Sequence, residues 1–442
     1  MNTIVMTMTN QWLARLLKNS PAVGLFFLVW LLSAPVHALT IDIVGGTESG
    51  VPVAIVPFEG EDRIADPVSD IIAANLSRTG LFAPIETAAM PERPANPDQL
   101  RLDNWRAGRA QYVVVGSIQP HGDGLRAEFH LLDVTRGDWL LGRRISAPSD
   151  AHRHMAHRIS DIVYEEITGE RGAFNTRIAY VKEQGSPGEQ IYTLQIADAD
   201  GANPVTILTS DYPIMSPTWS PDGQQLAYVS FEGNRAGIWV QDLGGSRYQL
   251  TAFPGVNGAP AWSPDGEQIA VALSKGENPN IHVIDLDSRD VRQLTHERGI
   301  DTEPDWLPDG SGLVFTSNRF GAPQIFRKSL DGGSAQRLTF DTPYAAGARV
   351  SPDGERIAMV MRDQRGYVIG QQALDNGTPR TLSERGREER PSYAPNGSMI
   401  IFASQTARGS ELRIVPSVGG AVQALRFADG KVRDPAWGPF EH

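Results

Sequence analysis

The chain has no cysteine, so no thiolate is present to attack a carbonyl, hold zinc or form a disulfide, and any site chemistry must come from histidine, hydroxyl or carboxylate groups. Its histidines gather once, at His152, His154 and His157. On a helix only the last two share a face, and two imidazoles without a third ligand make a poor metal site, so a solvated helix surface is expected there. Asp285, Asp287 and Asp290 imitate a calcium loop but lack its turn glycine and closing glutamate, and read as an acidic turn. There is no Gly-x-Ser-x-Gly elbow, no His-Glu-x-x-His and no Gly-x-Gly-x-x-Gly. The glycines between Gly45 and Gly50 are followed by Val51-Pro52, not by the Lys-Ser or Lys-Thr of a phosphate loop. With 40 Lys plus Arg against 52 Asp plus Glu, the formal charge of -12 argues against a nucleic-acid surface. These absences favour a binding protein over an enzyme.

The elements that could position a binding site begin after an export-like segment. Residues 1–38 carry Arg15 and Lys18, an uncharged apolar run from Ala22 to Ala34, and Val36-His37-Ala38 with small residues at -3 and -1. A cleaved signal is expected, leaving Leu39 as the new N-terminus. The alternative, a membrane anchor, meets a run well short of the ~20 residues that span a bilayer. Residues 39–50 are a short apolar stretch followed by glycine-rich polar sequence, expected to be mobile. Residues 51–172 read as a small α/β domain. It has a strand at Val51 to Phe58, a helix near Asp66 to Thr79, strands at Tyr112 to Gly116 and Leu125 to Asp133, a third at Trp139 to Ile145, and a helix near Ala151 to Ile167.

From residue 173 to 442 the chain repeats one pattern. Its marker is Trp219-Ser-Pro-Asp-Gly223, seen again at Trp262, Trp306, Val350 and Tyr393 and truncated at Trp437, with spacings of 43, 44, 44, 43 and 44 residues. That period is the ~40 to 45 residues of a four-stranded propeller blade. Proline presets one turn angle, Asp or Asn accepts local backbone bonds and Gly takes the left-handed conformation, so each marker is a hairpin turn. The first second-strand, Arg177 to Val181, precedes any marker, and the last marker strand has nothing after it. An all-β six-bladed propeller is therefore expected, closed by Asp434 to Gly438 in the blade begun at Arg177.

Within such a ring, what differs between copies is free to carry function. The variable loops precede each marker strand: Ser210 to Pro217, Ala252 to Pro260, His296 to Pro304, Phe340 to Ala348, Ser383 to Pro391 and Ala428 to Pro435. They should surround one mouth of the channel. Their mixture of apolar, acidic and basic side chains suits a peptide or protein partner. The alternative is a propeller enzyme or sensor with calcium in the channel, for which Asp301, Glu303 and Asp434 are the candidate ligands, although no general base is identifiable.

The combination of export segment, α/β domain and Trp-Ser-Pro-Asp-Gly propeller resembles the TolB family, periplasmic components of the Tol-Pal system. The resemblance rests on Pro52 to Phe58, Gly172 to Val181, Met215 to Gly223, Asn257 to Trp262 and Asp301 to Trp306, and covers nearly all of residues 39–442. It implies a non-enzymatic, monomeric adaptor without cofactor, whose mouth binds the lipoprotein Pal through Met215, Ser216, Asn257, Gly258, Ala259, Thr302 and Glu303. It also implies that Leu39, Thr40, Ile41, Asp42, Ile43 and Val44 bind TolA, and that the protein supports outer-membrane integrity and envelope constriction at cell division. Two positions depart from the pattern: Val256 stands where a family member has His, and Arg390 where it has Thr. Charge complementarity at this mouth is expected to differ accordingly.

Overall fold

The computed structural model describes residues 50–442 except 187, 275–277, 376, 385, 386, 407, 408, 426, 428, 429 and 442. The export segment 1–38 and the stretch containing Leu39, Thr40, Ile41, Asp42, Ile43 and Val44 lie outside the described residues. No helix among the described residues is long and apolar enough to cross a membrane.

The first layer is a five-stranded sheet of β1 (Val51–Ile55), β2 (Phe82–Pro84), β3 (Tyr112–His121), β4 (Gly124–Asp133) and β5 (Asp138–Pro148), in the order β2-β1-β3-β4-β5. β1 pairs parallel with both neighbours, and the rest is an antiparallel meander. Alternation in β1 sends Val53 and Ile55 to one face and Ala54 to the other, and all three are buried because both faces are covered. Helices α1 (Val68–Arg78) and α3 (His152–Thr168) cover the first face with Ile72, Leu76, Met155, Ile159 and Val163. The other face is closed by α2 (Leu102–Ala107), whose Trp105 packs beside Ala54, Val113 and Val115. Neither α2 nor β2 stands out in the sequence, since each is too short to show a period.

The second layer is a ring of six four-stranded sheets among the described residues. Five are continuous in sequence, with innermost strands Ile214–Trp219, Asn257–Trp262, Asp301–Trp306, Ala345–Val350 and Glu388–Tyr393. The sixth joins the C-terminal strand Lys431–Phe440 to β6 (Thr176–Gln184), β7 (Ile191–Asp198) and β8 (Val205–Ser210). Lys431 faces Glu183 and Trp437 faces Ile178 in an antiparallel ladder, so the two ends of the ring close on each other.

The marker turns form for the local reasons their sequence gives. Ser220 Oγ donates to Asp222 at 2.6 Å and accepts the Gln225 N–H at 2.9 Å, while Gly223 sits at φ 68°. Where Leu307 and Ala394 replace that serine, a serine follows the glycine instead, and Ser311 Oγ and Ser398 Oγ each donate to the turn Asp309 or Asn396 at 2.7 Å. Two of the marker tryptophans staple neighbouring blades: the Trp219 indole donates to the Ala436 carbonyl at 3.1 Å, and that of Trp306 to the Ala261 carbonyl at 3.0 Å.

The two layers share one apolar core, in which Tyr164 and Phe174 meet Ile178, Met399, Ile401 and Trp437. Asp161 on α3 accepts the Phe174 N–H at 2.8 Å and that of Asn175 at 3.2 Å, and burial pushes its carboxyl up to about 6. Beside it, Asn75, Arg78, Arg153 and His157 from the helices meet Asp198 and Asp200 from the β7–β8 turn. This corrects the expectation of a solvated histidine surface, because His157 is only 2 % exposed. Its ring shares a helix face with buried Ser160 and Tyr164, and that face is the one pressed onto the propeller.

Candidate functional site

Six innermost strands converge on one mouth, and each bends there at the same position. Ser216, Ala259, Glu303, Gly347, Arg390 and Asp434 all have φ between 48° and 62°. At each, the pairing with the second strand shifts register. Five of the six are followed by proline, whose missing N–H suits a bulge. Left-handed backbone costs a non-glycine residue about 1–2 kcal/mol, yet only Gly347 among the six avoids it. Strain of this kind gathers at ligand clamps. Replacing Ala259 by glycine should relieve it and raise stability by up to about 1 kcal/mol, less the entropy glycine adds to the unfolded chain. A lower melting temperature in that variant would show that the bulge is held without strain.

The seven residues Met215, Ser216, Asn257, Gly258, Ala259, Thr302 and Glu303 come together on the lining of one cavity of about 690 Å³. A second cavity of about 500 Å³ adjoins it, with Tyr344, Gly347, Tyr367 and Glu389 on its walls. Glu303 and Arg390 line both. Asn257 is 1 % exposed and acts within its loop: its amide donates to the Phe253 carbonyl at 2.6 Å and accepts the Phe253 N–H at 3.1 Å. A further contact from the same amide to the Gly255 carbonyl at 3.3 Å shows that this side chain fixes the loop from Phe253 to Gly255.

The acidic groups of the mouth are already engaged by arginines. Asp301, fully buried, receives Arg319 Nη2 at 2.9 and 3.1 Å. Arg390 places Nε 3.2 Å from Asp434 and Nη1 3.6 Å from Glu303. Burial works against the Arg390 charge, but Asp434, Glu303 and Glu389 outweigh it and hold the guanidinium more firmly protonated. Glu303 keeps a further bond, accepting the Thr316 hydroxyl at 3.0 Å. A calcium ion seeking Asp301, Glu303 and Asp434 would therefore have to displace two guanidinium groups. His157, Asp198 and Asp200 also bring donor atoms within 4.8 Å of one another. Arg78 and Arg153 already neutralise Asp200 there.

Strand direction alternates, so the loops joining second and third strands open on the same face as those before the innermost strands. Sequence reasoning considered only the latter and missed Phe231, Arg235, Phe320 and Tyr367. The spacing of eight to ten residues between second and third strands was the signal available. Large apolar side chains stand exposed on this face at Tyr212, Val256, Ile300 and Tyr367, with Phe320 72 % and Phe340 63 % accessible. Aromatic anchors around a depression are the pattern of a protein-docking surface.

Comparison with known proteins gives the following. A family model described as the TolB beta propeller domain matches residues 164–441, and one described as the TolB amino-terminal domain matches residues 39–140. The chain is 53% identical over 415 residues to the Tol-Pal system protein TolB of Methylococcus capsulatus, covering 93% of this chain and 97% of that one. It is 55% identical over 411 residues to the protein of the same name from Thioalkalivibrio sulfidiphilus, covering 91% and 94%. The crystal structure of TolB from Acinetobacter baumannii superposes with a TM-score of 0.83 at 38% identity, over 90% of this chain and 98% of that one.

Proposed function

The chain belongs to the TolB family, a non-enzymatic component of the Tol-Pal system, and from that premise we propose that it is a periplasmic adaptor that binds Pal at the propeller mouth and TolA through residues 39–50. Residues 1–38 are removed on export in this reading, and the free segment Leu39 to Val44 engages TolA. The two contacts together support outer-membrane integrity and envelope constriction during division.

The observation that carries the reading is the convergence of Met215, Ser216, Asn257, Gly258, Ala259, Thr302 and Glu303 on one cavity ringed by exposed apolar side chains. A rigid scaffold holding strained, shaped loops can bind a folded partner with little ordering cost. Any effect of Pal on TolA affinity must appear equally in reverse, typically ~1–3 kcal/mol.

Calorimetric titration of residues 39–442 with the soluble domain of the same organism's Pal tests it. The parent protein should bind, and Thr302→Arg, which fills the cavity with a long charged side chain, should weaken binding by about a hundredfold or more. No heat from the parent, with no shift in its melting temperature, would remove the Pal assignment.

A further inference from the structure

The charge distribution across the mouth is uneven, and one residue controls it. Arg390 belongs to the fifth sequence-continuous innermost strand, Glu388–Tyr393, and reaches Glu303 on Asp301–Trp306 by passing the intervening strand Ala345–Val350. On that strand Gly347 lies beside the Glu303 carboxylate, where a Cβ would make ordinary contact at 3.7 Å. The arginine thus spans the opening and forms the wall between the two cavities.

Its two ends differ. Nε faces Asp434 at 3.2 Å, whereas Nη1 stands 3.6 Å from Glu303, beyond hydrogen-bond length, and, although buried, makes no hydrogen bond among the described residues. Glu303 does not depend on it, since the Thr316 hydroxyl already donates to its other oxygen. Among the described residues, the charged ones on the lining of the larger cavity are Arg235, Arg390 and Glu303. That surplus of positive charge favours an acidic visitor.

Resting on the reading of the mouth as a partner site, we infer that Arg390 is its specificity-determining residue and receives, at Nη1, a carboxylate side chain of the docking protein. The incoming carboxylate takes the place of Glu303 beside Nη1, whose donor is covered in the free protein, and forms charge-assisted hydrogen bonds there, while Asp434 keeps Nε and fixes the guanidinium plane. Glu303, which the resemblance counts among the Pal contacts, is then the competitor that the partner displaces and Arg390 the receptor, although the two form an ion pair in the free protein.

The test is the sign of two substitutions in the same Pal titration. Glu303→Gln should bind Pal about threefold tighter or more, and Arg390→Met about tenfold weaker or more, with Arg390→Lys between Met and the parent. Raising salt should weaken the parent more than Arg390→Met. A purely structural ion pair would make both substitutions weaken binding, and that outcome overturns the inference while leaving Pal at the mouth. Tighter binding by Arg390→Met would also overturn it, assigning a basic visitor to the second cavity, where Glu303, Glu388 and Glu389 outnumber Arg387 and Arg390. Thermal melts check that each variant folds, and if Arg390→Met does not, Arg390→Lys and Glu303→Gln still carry opposite signs. Absence of binding by the parent overturns the partner reading itself and this inference with it.

Discussion

Removing residues 433–442 is expected to abolish the cooperative unfolding transition of the propeller. Those residues supply most of the innermost strand of the sixth blade, and β6 has no other partner on that side. Trp437 is 7 % exposed and its indole donates to the Thr176 hydroxyl at 2.8 Å, while the Ala436 carbonyl accepts the Trp219 indole. Arg177 pairs with Glu441 at 2.7 Å, and Arg171 lies over the Phe440 ring. A buried large apolar side chain is worth about 1.5–3 kcal/mol, so losing this set approaches the 5–15 kcal/mol that stabilises a whole domain. Opening the ring also exposes an unpaired strand edge, which invites association between chains. Calorimetry and size-exclusion chromatography of the truncated chain should show a lost or broadened transition and aggregates. A monomer melting like the parent would mean that the ring is held by blade-to-blade packing alone.

Substituting Asp200 by alanine should cost about 3 kcal/mol, because it takes the counter-charge from buried Arg78 and leaves Arg153 only Asp66 and Asp198. The Asp200 side chain is 7 % exposed and receives Arg153 Nη2, with Arg78 at 3.9 Å and His157 Nε2 at 3.7 Å. Thermal denaturation of Asp200→Ala beside Asp200→Asn separates lost charge from lost shape, and a near-parental midpoint for the alanine variant would contradict the account. The same cluster fixes the tautomer of His157. Asn75 Oδ1 accepts from Arg78 at 2.8 Å, so its amide nitrogen must donate to His157 Nδ1 at 2.9 Å. The ring proton therefore sits on Nε2, toward Asp200.

Burial, aided by Arg78 and Arg153, pushes His157 down to about 4 from 6.5 against the pull of Asp200. The unfolded chain takes up that proton first, so the stability His157 contributes is complete above 6.5 and is lost as pH falls toward 4. Asp198, pushed up to about 6 by burial and by Asp200, has the opposite sign and gains stability as pH falls from 6 toward 3.8. Whatever deficit His157→Gln shows at neutral pH should shrink as pH is lowered from 6.5 to 4, and a deficit that stays constant would place the histidine's titration elsewhere.

The outline of the fold was legible because its determinants are local and repeated. Trp219, Trp262, Trp306, Val350, Tyr393 and Trp437 each precede a turn whose proline and glycine set the backbone angles, and a constant period forces blades of equal size. Closure followed from counting strands. The mouth was legible as a set of variable loops, and the seven residues carried over by resemblance do meet at one cavity. The short elements β2 and α2 were not, since Trp105 shows its role only when Ala54 and Val113 are seen beneath it.

By itself, then, the sequence determined how many blades there are, where each turns and which strand closes the ring, because these depend on residues close together in the chain. Only the tertiary structure decided which charges meet. Arg390 reaches Glu303 across an intervening blade, and His157 lies buried because its helix face is pressed against a propeller turn bearing Asp198 and Asp200. Such pairings are set by ring closure and layer packing, which bring together residues far apart in sequence, and the spacing of residue types along the chain carries no record of them.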